Sequence, residues 1–126
     1  MTEIAEGTFY GSADEFLRRW LRFAYRRTVS RPGRGELRWR ADWWRVEEAL
    51  GRIEAMWRSW EQARLDPVGM TNWWLYVADP MMRVLLSSDG PFAGSADENR
   101  PGEPLPYAAP PAGMFAADRW ADAAAG

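Results

Sequence analysis

Between residues 43 and 60 the side chains Trp43, Val46, Leu50, Ile53, Trp57 and Trp60 recur at alternating spacings of three and four. That rhythm gathers them on one stripe of an α-helix, because residues three and four apart share a face. A strand alternates sides with period two and could not present this set to a single layer. Glu47, Glu48, Arg52, Glu54, Arg58 and Glu61 fall largely outside the stripe. The spacing predicts a long amphipathic helix over 43–64, with Asp42 as a plausible N-cap. It also demands an apolar cover. An isolated seam without further heptads suits an antiparallel partner within the same chain, and it permits homodimerisation as well.

Two further helices supply that cover. Ser12 and Glu15 in "SADE" form a capping box, and Phe16, Leu17, Trp20, Leu21 and Ala24 make an apolar stripe behind it. A helix over 13–29 follows, ended by "SRPGRG". "LDPVG" breaks the chain after the long helix. Thr71 or Asn72 then caps a short helix over 72–78, and Asp79-Pro80 reads as N-cap and first position of a second piece over 80–87. From about residue 94 the chain turns to Gly, Pro, Ala and acids, and "RPGEPLPYAAPPAGMF" favours polyproline-type extension. Residues 115–124 carry a weak helical pattern. The expectation is a small all-α, Trp-rich three-helix domain over 12–95. A loose stretch, 1–11, precedes it, and a Pro-rich acidic arm, 96–126, lies across the bundle or stays mobile.

Composition narrows the chemistry. There is no Cys and no His, and all 16 basic residues are Arg. Thiolate chemistry, the commonest general base near neutral pH and Schiff-base lysines are thereby removed. No calcium-type loop, P-loop or G-x-S-x-G setting occurs. Glu47/Glu54 and Glu54/Glu61 are seven apart on one helix face, a spacing that suits a solvated stripe. No residue earns a catalytic role, no cofactor or metal is expected, and the chain is read as a non-enzyme. No apolar run is long enough to span a bilayer, and the N-terminus lacks a secretory pattern. A cytoplasmic setting without a membrane partner is the expectation.

Charge is uneven. Residues 16–45 carry ten Arg against Glu36 and Asp42, a net of +8, whereas 65–126 carry three Arg against eight acids, a net of −5. Arg18, Arg22 and Arg26 are four apart on the first helix, beside Arg19 and Arg27, with Arg31, Arg34, Arg38 and Arg40 following. Such a stripe can hold phosphates bidentately and steer a polyanion. Arg18, Arg19, Arg22, Arg26, Arg27, Arg31, Arg34, Arg38 and Trp39 are therefore the candidate nucleic-acid contacts, Trp39 as a base-stacking platform. Against this stands solvation of a polar face paired with the acidic rear, which the pI near 5.2 favours.

The nine Trp sharpen the choice. One buried ring removes roughly 150–250 Å² from water, worth about 4–6 kcal/mol before entropy. Trp20, Trp43, Trp57 and Trp60 sit on apolar stripes and read as core. Helix neighbours point about 100° apart, so one ring of Trp43/Trp44 and one of Trp73/Trp74 must lean outward. Trp44 and Trp74 are the candidate interface residues for a protein partner.

Across 16–95, "WW", "EAMWRSWEQ", "GMTNWW", "ADPMM" and "DGPF" resemble a family of small uncharacterised actinobacterial domains found on phages, plasmids and other mobile elements. The resemblance implies no assigned activity. Typical members carry Cys or His at several positions where this chain has Arg40, Val46, Val77, Met81 and Ser95. If those residues cluster around a metal or a reaction in relatives, this chain lacks the cluster; scattered, unrelated substitutions are the alternative. The reading is a non-enzymatic accessory binding protein of a mobile element, touching nucleic acid through the arginine surface. A protein-interaction module acting on a host or mobile-element machine is the alternative.

Overall fold

The structure is a computed structural model that describes residues 7–119. Among these residues there are three helices and no strand. In α1 (residues 13–24), α-helical turns Ala13–Phe16 and Arg22–Ala24 flank a π-helical stretch, Leu17–Leu21. A 3-10 turn, Trp43–Arg45, leads to α2, Glu47–Ala63. In α3 (residues 67–86), Pro67–Trp73 continues through the π-helical Trp74–Ala78 into Asp79–Leu86. The expected all-α, Trp-rich three-helix architecture is the one observed.

The seam of α2 faces inward as its spacing requires. Ile53, Trp57 and Trp60 are buried, and Val46 and Leu50 pack at the margin. Phe16, Leu17 and Leu21 of α1 and Trp73, Met82 and Leu85 of α3 close over it. Trp20 lies at the junction, its ring centroid 5.2 Å from Trp60 and 5.7 Å from both Trp73 and Trp74. These tilted and edge-on arrangements suit the ring quadrupoles. The core reading of Trp20, Trp43, Trp57 and Trp60 holds.

Four element limits differ from the sequence expectation. First, α1 stops at Ala24 rather than running to 29. Asn99 of the arm bonds Val29 through both its amide nitrogen and its Oδ1, and donates Nδ2 to the Arg27 carbonyl at 3.0 Å. Backbone groups the helix would have used are spent there. Second, Asp42 does not cap α2. Its carboxylate takes Arg40 at 2.7 Å and Arg45 at 2.9 Å instead, and Val46 fills the cap position without a side-chain bond.

Third, α3 starts at Pro67, five residues earlier than expected. Asp66 caps it, accepting from the Val68 and Gly69 amides, and Pro67 occupies the first turn where its missing donor costs nothing. "LDPVG" thus ends one helix by opening the next. Fourth, there is no break at Asp79. Both Ala78 and Asp79 are helical, and the wider π turn ahead of Pro80 relieves the clash that its ring would make with the carbonyl four residues back. Asp79 accepts the Tyr25 hydroxyl at 3.0 Å rather than capping a helix.

The chain flanking the helices is packed on them. Phe9 and Tyr10 donate their amides to Glu61 of α2 at 2.8 and 2.9 Å, and Tyr10 is buried. The arm, over 96–119, crosses the bundle in extended form, and residues 115–119 are not helical. Leu105 is fully buried. Polyproline-type backbone makes no ladder of internal bonds, so between the turns at 100–103 and 111–114 most of its carbonyls are free for the bundle. The indoles of Trp39 and Trp44 donate to Pro106 and Ala108 at 3.1 and 3.0 Å.

Candidate functional site

Arg18, Arg19 and Arg22 lie on α1 and Arg26 and Arg27 beyond its end at Ala24, and the arm bonds Arg18, Arg22 and Arg26. Arg18 pairs with Asp118 and stands 3.6 Å from Asp14. Arg19 meets Glu15 at 3.2 Å and Asp118 at 3.6 Å. Arg22 donates to the Leu105 carbonyl at 2.9 Å and faces the Tyr107 ring. Arg26 bonds the carbonyls of Phe23 and Gly102. Arg27 lies 4.3 Å over Tyr25. A guanidinium with its donors on carbonyls and carboxylates has few left for a phosphate. The front half of the stripe therefore holds the arm.

Tyr107 closes this junction by donating to Asp14 at 2.6 Å. Burial pushes the Asp14 carboxyl above its usual range, against the opposing pull of the Tyr107 bond and the Arg18 charge. Burial, then the bond to Asp14, raises the Tyr107 phenol. The tyrosine accordingly stays the donor.

Two expected nucleic-acid contacts are corrected outright. Trp39 is 0% exposed, edge-on to Phe92 at 5.1 Å, with its indole on Pro106; no face is open to a base. Arg38 is buried and ties the loop together, its Nη1 reaching the Gly35 carbonyl at 2.7 Å and the Ser30 and Leu37 carbonyls at 3.2 Å. Apolar surroundings and free loop carbonyls took both side chains inward. What remains exposed of the basic set is Arg19 and the cluster at one end, Arg26, Arg27, Arg31 and Arg34. Arg31 and Arg34 form no side-chain ion pair or hydrogen bond among the described residues.

Neither expected interface tryptophan stands free. Trp44 is half-buried beneath Arg45, 4.9 Å above its ring, and bonds Ala108. Trp74 is half-buried too, stacked on Tyr25 at 6.2 Å and 21°. Trp44 was covered by the arm, whose path the sequence could not place, and Trp74 by the rings of Trp20 and Tyr25.

The exposed apolar surface lies elsewhere. Leu65, Val68, Leu75 and Tyr76 are 70%, 66%, 54% and 73% exposed. Tyr76 also lines a groove of about 450 Å³ between the end of α2 and the start of α3, with Ala63, Gly69, Asn72 and Trp73 among its other walls. Residues 67–78, "PVGMTNWWLYVA", contain no charged side chain. A solvent-facing helix normally carries charge on its outer side, so that gap was the legible signal for this face.

Among the described residues no group of His, Cys, Asp or Glu is arranged to hold a metal ion, and no helix is long and apolar enough to cross a membrane. Residues 10–112 match the family described as a domain of unknown function (DUF4913), and the chain belongs to that family. No curated protein and no solved structure matches it.

Proposed function

We propose that this DUF4913 domain is a non-catalytic docking module for a protein, and that its contact face is the uncharged first half of α3 with the adjoining groove. One observation carries the reading: Val68, Leu75 and Tyr76 stand exposed on a helical stretch, 67–78, that carries no charged side chain, with Leu65 exposed just ahead of it. Interface centres are depleted in charge and enriched in aromatic residues, and clustered exposed apolar side chains mark interaction sites. A membrane-surface helix would flank such residues with Lys or Arg, and this stretch has none. The resemblance to actinobacterial phage and plasmid domains makes a cytoplasmic, mobile-element setting part of the same proposal.

A photo-crosslinking phenylalanine analogue at position 76, compared in cells with one at the outward position 58 of α2, tests the reading. A discrete protein adduct at 76 and none at 58 is the expected result. No protein adduct at 76, or equal labelling at both positions, overturns it.

A second reading keeps nucleic acid as the partner. It is favoured by the exposed Arg27, Arg31 and Arg34, whose guanidinium groups the arm does not bond, beside Arg26, which it does bond through Gly102. Oligonucleotide titrations over a salt series decide it. Affinity that falls steeply with salt, with a shallower slope after Arg27→Ala, Arg31→Ala and Arg34→Ala together, supports it. Flat titrations at the lowest salt remove it.

A further inference from the structure

We propose that the cleft between Tyr25, at the end of α1, and the second half of α3 binds a phosphorylated sugar, with Arg27 and Arg83 on the phosphate and Asp79 on a sugar hydroxyl. The site lies outside the uncharged docking face and shares only Arg27 with the nucleic-acid reading.

Three observations point to that ligand. The first is Arg83. Four helical arginines follow a carboxylate by four residues and pair with it: Arg18 with Asp14 at 3.6 Å, Arg19 with Glu15 at 3.2 Å, Arg52 with Glu48 at 2.9 Å and Arg58 with Glu54 at 2.6 Å. Arg83 follows Asp79 by four within the α-helical Asp79–Leu86. It nevertheless forms no ion pair or side-chain hydrogen bond among the described residues, and it is exposed. The Tyr25 hydroxyl has taken Asp79 Oδ1 at 3.0 Å instead. Every N–H of the Arg83 guanidinium is therefore unspent.

The second is Arg27, which lines the same cleft of about 360 Å³. It too is exposed and forms no ion pair among the described residues. It is held in place by lying 4.3 Å over the Tyr25 ring and by donating Nη1 to the Arg26 carbonyl at 2.7 Å. Two guanidinium groups without a carboxylate partner suit a phosphate, whose oxygens accept from their planar forks. The volume falls at the small end of the roughly 300–1,000 Å³ of ligand pockets.

The third is Asp79 itself, half-buried in the wall of the cleft. A carboxylate there disfavours a bare anion. Its Oδ2 accepts no hydrogen bond among the described residues, while Tyr25 holds Oδ1. An ionised carboxylate can only accept, so its complement is a hydroxyl carried on the same molecule as the phosphate. Carboxylates that bind a ribose hydroxyl near a phosphate site answer the same need. Leu37 and Leu86 complete the cleft with apolar surface for the sugar carbons.

Isothermal titration calorimetry of the full chain at low salt, with ribose 5-phosphate and with inorganic phosphate, tests this. Ribose 5-phosphate should bind, and more tightly than phosphate. Arg83→Ala should weaken it by about tenfold or more, the worth of a hydrogen bond to a charged group. Arg58→Ala, which removes the same charge from the outer side of α2, should leave it unchanged. Asp79→Asn still accepts from Tyr25 but no longer repels an anion, so it should strengthen phosphate binding and weaken that of the sugar phosphate; circular dichroism checks its fold. No binding of ribose 5-phosphate, equal affinity for phosphate alone, or indifference to Arg83→Ala overturns the proposal. Two sources carry this group, a free nucleotide and the 5′ end of a strand. Tighter binding of a 5′-phosphorylated than of a 5′-hydroxyl oligonucleotide assigns the strand end. Equal affinity for the two, with AMP bound, assigns the free nucleotide.

Discussion

Glu61 offers the severest test of how the chain ahead of α1 is held. Its side chain is nearly buried and accepts from four donors: the amides of Phe9 and Tyr10 at 2.8 and 2.9 Å, the Trp57 indole at 3.0 Å and Arg64 at 2.9 Å. Glu61→Ala removes every acceptor at once. The Tyr10 amide and Trp57 indole lie where water does not easily follow, and each buried orphan costs about 1–3 kcal/mol. Phe9 and Arg64 are nearer solvent and recover part of their loss. The total comes to about 3–5 kcal/mol, the same range found when one partner of a buried ion pair is deleted. That is a large share of the roughly 5–15 kcal/mol by which domains are stable. With a urea slope of about 1–3 kcal/mol per molar, the unfolding midpoint should fall by about 2 M. Glu61→Gln keeps one oxygen but turns an NH2 toward the donors, and should recover part of the loss. A midpoint lowered by less than the equivalent of about 1 kcal/mol in Glu61→Ala would refute this account, because buried donors cannot be left unpaired so cheaply.

Three other outcomes follow from the same reasoning. Asp14 holds its proton more tightly folded than unfolded, so its contribution to stability falls as pH rises from about 4 through its raised folded value. The uncharged amide introduced by Asp14→Asn can still accept from Tyr107, and the difference in urea midpoint between variant and wild type should therefore move in the variant's favour across that window; a constant difference would contradict it. Asp118→Ala releases Arg18 and Arg19 from the end of the arm, and should speed amide exchange at Arg119, which bonds Glu15 at 3.0 Å. Global stability should change by about 1 kcal/mol or less, as for a partly exposed pair, and unchanged exchange would show that the ion pair does not hold the segment. Trp39→Phe leaves the Pro106 carbonyl unpaired and a small void beside Phe92, lowering stability by about 1–3 kcal/mol. It should not alter any oligonucleotide affinity, and a weakened single-strand titration in the folded variant would restore the ring as a contact.

How much was legible depended on whether a residue's fate was settled within its own helix. The seam of α2 could be read because Ile53, Trp57 and Trp60 are placed by helical period alone, and burial of that stripe is compulsory. The capping box at the start of α1 was legible for the same local reason: Ser12 accepts from the Glu15 amide at 3.1 Å, and Glu15 reaches back to Gly11 at 2.7 Å. Pro67 was legible as punctuation but ambiguous in direction, since a proline that ends one helix can equally begin another. The π turns in α1 and α3 left no comparable mark. They relieve strain and adjust the facing of side chains, and both needs arise only once helices meet.

The sequence alone determined that the chain is helical and that its tryptophans are chiefly core. Periodicity and residue chemistry suffice for each of these, because they concern neighbours within a turn or two. Only the tertiary structure decided which surfaces remain open. Asp118, Gly102 and Leu105 come to Arg18, Arg26 and Arg22 from 76 to 100 residues away in the chain, and Pro106 reaches Trp39 across 67. An extended proline-rich segment has no apolar period of its own and no regular ladder of internal hydrogen bonds. Its path is set by the donors and apolar surface that it crosses, and these exist as a surface only after the helices have packed.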